Sequence, residues 1–80
     1  MDEILASLDE ADIAILNAFA ESGMNVTRTA RNTFYDRRTV SNRLTGIHRK
    51  TGIDPRTFWG LLSLFFIIKR KEIASGLSHD

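Results

Sequence analysis

Residues 25–50 read NVTRTARNTFYDRRTVSNRLTGIHRK, two helical patterns joined by a short break. The second pattern is the clearer. Asp36 has the side chain of an N-cap, Gly52 stands where a left-handed stop belongs, and Val40, Leu44 and Ile47 recur at i, i+4 and i+7. Arg38, Asn42, Thr45 and Arg49 fall roughly opposite that row at the 3.6-residue period. The spacing predicts a helix over 37–50 or 51, packed on one face and cationic on the other. The first pattern predicts a shorter helix over 26–33, capped by Asn25, with Val26 and Ala30 turned inward. Ala30 is small enough to let another helix come close. Thr33, Phe34 and Tyr35 break the run, and Phe34 is expected in the core.

Upstream, Asp9 is an N-cap with Asp12 three residues on, and both acids suit the positive end of a helix. Ile13, Leu16 and Ala20 form an apolar row that Ile15 and Phe19 widen, so a core-facing helix is predicted over 10–22, stopped by Gly23. Ile4, Leu5 and Leu8 form a short preceding turn over the core. Downstream, Asp54-Pro55 reads as an N-cap with proline at the first helical position. The last helix continues through the apolar run 58–68 and ends between Lys69 and Ala74. Its apolar residues lie all around the circumference, more than one small core can cover. A second copy of the chain is the simplest cover, with Trp59, Leu62, Phe65 and Phe66 as the dimer interface. The fold class is therefore all-α: four main helices in a single domain over 1–80, with its core at 9–74 and a flexible tail at 75–80.

Composition bounds the function. The 80 residues are 42% hydrophobic and 26% charged, as in an ordinary globular domain. There is no cysteine, which excludes disulfides, thiolate metal sites and cysteine nucleophiles. The net charge of +1 conceals an asymmetry: all 11 Lys and Arg follow residue 25, while residues 1–25 hold Asp2, Glu3, Asp9, Glu10, Asp12 and Glu21. Such polarity points to an anionic partner for the basic part. The acidic N-terminus is unlike a secretory signal. The apolar run 58–68 falls well short of the roughly 20 residues that span a bilayer, so it reads as a buried helix. His48 and His79 have no third ligand near them in sequence, Ser41 has no spaced His and acid partners, and no Gly-rich phosphate loop is present. No metal, cofactor, catalytic group, small-molecule ligand or membrane contact is expected.

A short helix, a turn and a longer cationic helix make a helix-turn-helix. Arginines on an amphipathic helix ordinarily form only a solvated face. Here their clustering over 26–56 adds to the element order, and double-stranded DNA is the expected partner. Arg37, Arg38, Thr39, Ser41 and Asn42 stand at the start of the second helix, where base edges are read. Arginine donates twice to guanine, and asparagine bonds adenine in two places. Thr27 and Arg28 are placed for phosphates, with Arg43, Arg49 and Lys50 as further backbone contacts. If two copies space their reading helices about 34 Å apart, both fit one DNA face. The alternative is a protein-interaction adaptor or inhibitor docking through the apolar helix 55–70. RNA is weaker still, because exposed aromatic pairs for base stacking are lacking.

The strings Asn25-Val26-Thr27-Arg28-Thr29-Ala30-Arg31 and Phe34-Tyr35-Asp36-Arg37-Arg38-Thr39-Val40-Ser41-Asn42-Arg43-Leu44 resemble the C-terminal helix-turn-helix of PucR-type bacterial regulators. That domain is also similar to the DNA-binding end of Fis. Ile47, Thr51-Gly52-Ile53-Asp54, Phe58 and Leu61-Leu62 resemble the family's continuation into its last helix, so the likeness covers roughly residues 10–68. It implies sequence-specific DNA binding in transcription regulation, by a bacterial or phage protein of the cytoplasm, associated with the nucleoid. Two positions depart from the family: Asp36 stands where histidine is common, and Arg38 where asparagine is. Arg38 would read a different base edge, so the family's base preference is not carried over. The family domain usually ends a larger sensor protein. If this chain is complete, control by a ligand is absent or comes from a partner.

Overall fold

The computed structural model describes residues 2–77, with side chains described for residues 3–70. The chain folds as α1 (Asp2–Ala6), α2 (Glu10–Glu21), α3 (Val26–Arg31), α4 (Arg37–Thr51) and α5 (Phe58–Leu77). Among the described residues five helices thus replace the expected four, because the turn before α2 is itself helical.

Local chemistry sets most boundaries. Asp9 Oδ1 accepts from the Asp12 N–H at 2.8 Å, and the Asp9 N–H donates to Asp12 Oδ2 at 3.2 Å. This reciprocal capping box satisfies two donors at the start of α2. Asn25 accepts from the Arg28 N–H at 2.9 Å and Asp36 from the Thr39 N–H at 2.7 Å, capping α3 and α4. Gly23 and Gly52 take φ of 69° and 76°, the left-handed stops their positions require. Met24 adopts φ 60° as well. An L-residue pays about 1–2 kcal/mol for that conformation, and here the Met24 side chain packs against the core.

One cluster forms that core. Leu8, Ile15, Leu16 and Phe19 meet Val40, Leu44 and Ile47 of α4 and Leu61, Leu64 and Ile68 of α5. α3 lies across α2 and α4 and contributes Thr29, fully buried, with partly buried Val26 and Ala30. The Thr29 hydroxyl donates to the Asn25 carbonyl at 2.7 Å, so its burial leaves no polar group unpaired.

The structure corrects several expectations. Phe34 is fully exposed, at 109% relative accessibility, and Tyr35 takes the inward place in the turn. Ala20 is exposed and Ile13 only partly buried, so the inward row of α2 is Asp12, Ile15, Leu16 and Phe19. α3 ends at Arg31, not residue 33. The last helix starts at Phe58 rather than at Asp54-Pro55. Asp54 instead folds a turn, in which Oδ1 accepts from the Arg56 N–H at 2.9 Å and the carbonyl from the Thr57 hydroxyl at 2.9 Å. Thr57 Oγ1 then accepts from the Gly60 N–H at 2.9 Å and takes the capping place. α5 runs on to Leu77, past the stop expected between Lys69 and Ala74. Residues 78–80 of the expected tail lie outside the described residues.

The Asp54 turn also fixes Gly60. A Cβ there would lie 1.9 Å from the Asp54 carbonyl oxygen, a backbone atom that cannot step aside. Gly60→Ala is expected to cost about 2–3 kcal/mol by overpacking, although alanine is the better helix former. Phe34→Ser is expected to change stability by less than about 0.5 kcal/mol. Urea unfolding of both variants checks the pair. Equal losses would contradict the burial assignments.

Candidate nucleic-acid interface

α4 is held on three sides and open on the fourth. Val40, Leu44 and Ile47 are fully buried against α2 and α5. Opposite them Arg38, Asn42, Thr45 and Arg49 are all exposed, one row at i, i+4, i+7 and i+11. Inside α4 its cations are opposed by no acidic residue.

On one flank α4 is clamped to α2. Arg43 Nη1 lies 3.2 Å from Asp12 Oδ1 and 3.2 Å from Asp9 Oδ2, and Lys50 Nζ bonds Asp12 Oδ2. Asp12 is almost wholly buried, while the two cations reach it from the surface. A buried carboxylate survives only when paired and hydrogen-bonded, and here two cations and a backbone N–H meet that need. The hydrogen bond that Arg43 donates to Asp12, and after it those to Asp9, raise its guanidinium above its ordinary value. Arg43 and Lys50 were expected to contact the DNA backbone. Their charged ends are engaged within the chain.

The other flank is braced by the loop before α5. Arg56 Nη2 donates to the Ser41 carbonyl at 3.0 Å and to Ser41 Oγ at 2.8 Å, and Nη1 to Thr45 Oγ1 at 3.2 Å. His48 Nδ1 stands 3.9 Å from Asp54 on the same side. Ser41, an expected contact, is therefore half-buried and already bonded.

The remaining expected contacts divide by place. Arg37 and Arg38 are exposed at the start of α4, and Thr39 is half-buried beside them. Thr27 and Arg28 are exposed at the start of α3. The Asp36 carboxylate accepts the Thr39 N–H, which with the nearby Arg38 charge holds it below the usual carboxylate range. Its negative charge is thus spent on the cap. Four features went unread in the sequence: the burial of Asp12, the Arg56 brace, the exposed Phe34 beside the α4 N-terminus, and Gly46.

Gly46 lies between the open row and the α2 clamp, in a recess of about 280 Å³ with Asp12, Thr39, Asn42, Arg43 and Lys50. An added Cβ would meet nothing within 4 Å, so this chain's own packing does not require glycine there. Mid-helix glycine costs about 1 kcal/mol relative to alanine. The bare backbone leaves room for a close external approach.

Residues 13–69 match the family model of the PucR C-terminal helix-turn-helix domain. The chain belongs to this family. The match runs from one residue after Asp12 to Lys69, so this PucR-type domain includes α3, α4 and the Arg56 brace within the matched span. Neither the comparison with curated proteins nor that with solved structures gave a match. Among the described residues no helix is long and apolar enough to cross a membrane, and no group of His, Cys, Asp or Glu could hold a metal ion.

Two stability tests follow from the clamp and the open backbone. Asp12→Ala is expected to cost about 2 kcal/mol, below the usual figure for a broken buried pair because Arg43 and Lys50 are over a third exposed. Gly46→Ala is expected to gain about 1 kcal/mol. The Asp9 and Asp36 carboxylates are held below 3.8 by backbone N–H bonds, so their stabilisation is complete above that pH. It is lost as the pH falls through their lowered values. Thermal melts from pH 7 to 2 check this. A melting temperature that stays flat below pH 3.8 would contradict the caps.

Proposed function

We propose that this chain is a sequence-specific double-stranded DNA-binding transcriptional regulator that lays α4 in the major groove. The observation that carries it is the row Arg38, Asn42, Thr45 and Arg49, exposed along a helix whose opposite side is fully buried. The major groove is about 12 Å wide and admits one helix. Rigid seating matters because reading base edges requires donors held in place before contact.

In this reading Arg38, Asn42 and Arg49 read bases. Arg37, Thr39, Thr27 and Arg28 hold phosphates and set the register. Gly46 marks the closest approach of the α4 backbone to the groove. Phe34, exposed two residues before the Asp36 cap, is placed for apolar contact with a thymine methyl. Arg43 and Lys50 act indirectly, by fixing the pitch of α4 on α2, and Arg56 does the same through Ser41. The chain works as a homodimer through α5, in the cytoplasm at the nucleoid. The adaptor reading gives the cationic face of α4 no use and is not preferred.

Binding to random duplex is expected to weaken steeply with salt, since several phosphates are neutralised. Arg38→Ala and Asn42→Ala are each expected to lose about 1–3 kcal/mol at a selected site and to relax its sequence preference. Arg28→Ala is expected to weaken all sequences alike. Fluorescence anisotropy across a salt series measures these. Unchanged affinity in all three variants would sink the reading.

A further inference from the structure

α5 carries a second, unpartnered apolar face. Leu61, Leu64 and Ile68 point into the core, yet Phe58, Trp59, Leu62 and Phe66 are 61%, 74%, 48% and 65% exposed. Phe58, Leu62 and Phe66 recur every fourth residue, a seam of the kind that accepts another helix. Trp59 flanks the seam on one side. On the other is Phe65, expected in the interface but partly packed against the chain's own core.

The two ends of the seam differ. At its start Phe58 and Trp59 meet edge to face, ring centroids 5.0 Å apart. Toward its other end Leu62, Phe65, Phe66, Lys69 and Arg70 line a groove of about 510 Å³. One end is thus a projecting aromatic pair, and the other an apolar trough rimmed by cations.

We infer that two copies pair their α5 helices antiparallel, each inserting its Phe58–Trp59 pair into the groove at the far end of the other. This rests on the proposed dimer and specifies its geometry. A two-fold axis near residue 64 sets Phe58 against Arg70 of the second copy, Trp59 against Lys69, and Leu62 against Phe66. Self-complementarity of this kind is what a two-fold interface requires. Cations over aromatic faces attract. A parallel pair would instead set Arg70 against Arg70, like charges in contact, and leave both grooves without their rings. The four exposed side chains offer about 500 Å² per copy, or about 1,000 Å² across the pair, the lower bound for a specific interface.

The chain has no cysteine, so engineered ones report cleanly. Residues 58 and 70 lie about 18 Å apart along α5 at 1.5 Å per residue. Phe58→Cys and Arg70→Cys chains are oxidised separately and mixed, beside sedimentation of the unaltered chain. The expected result is a disulfide several-fold more abundant in the mixture than in either chain alone. A Phe58→Cys chain that cross-links to itself as readily overturns the antiparallel arrangement. So does an unaltered chain that sediments as a dimer while the mixture gives no cross-link. An unaltered chain that sediments as a monomer at micromolar concentration overturns the dimer itself, and the DNA-reading role of α4 is then judged on its own variants.

Discussion

The seat of α4 is the constraint on which everything else depends. A reading helix must be immobile on one side and unencumbered on the other. Val40, Leu44 and Ile47 meet the first need through apolar burial, which is strong but allows rotation and sliding. The polar contacts remove that freedom. Asp12 grips Arg43 and Lys50 on one flank, and Arg56 grips Ser41 and Thr45 on the other. The two grips lie on opposite sides of the apolar seam, so together they fix the roll of the helix. Between the grips Arg38, Asn42 and Arg49 are left open.

The charge asymmetry of the chain takes on a different meaning in this light. An acidic first third and a basic remainder suggest an anionic partner. Part of that partner is internal, since Asp9 and Asp12 neutralise Arg43 and Lys50 within the fold. On the α3–α4 side Arg28, Arg31, Arg37, Arg38 and Arg49 remain exposed, and Arg56, Lys69 and Arg70 are exposed beyond it. The acids thus sharpen the cationic surface.

Much of the fold was legible in the sequence because its signals are local. Asp9, Asn25 and Asp36 cap helices through bonds that span three residues, and Gly23 and Gly52 stop them through their own φ. The Val40-Leu44-Ile47 row and the outward row opposite it are periodicity, and periodicity survives folding. What was not legible is long-range. The Asp12 contacts cross 31 and 38 residues, and no local pattern separates a capping acid from a buried one. Phe34 was misplaced because hydrophobicity alone cannot say which of two adjacent aromatics in a turn faces inward. The start of α5 was misplaced because Asp-Pro fits a helix start and a turn equally well, and only the Asp54 carbonyl against Gly60 decides between them. Within the candidate site the exposed row is periodic and was legible, while the bonds of Arg43 to Asp12 and of Arg56 to Ser41 are long-range and were not.

The most direct test is a nuclear magnetic resonance footprint of DNA on the labelled chain, using a duplex selected from a random pool. The largest amide shifts are expected at Arg38, Asn42, Thr45, Gly46 and Arg49, with smaller ones at Thr27 and Arg28. Shifts confined to α1, α2 or α5, with α4 unmoved, would contradict a reading role for α4.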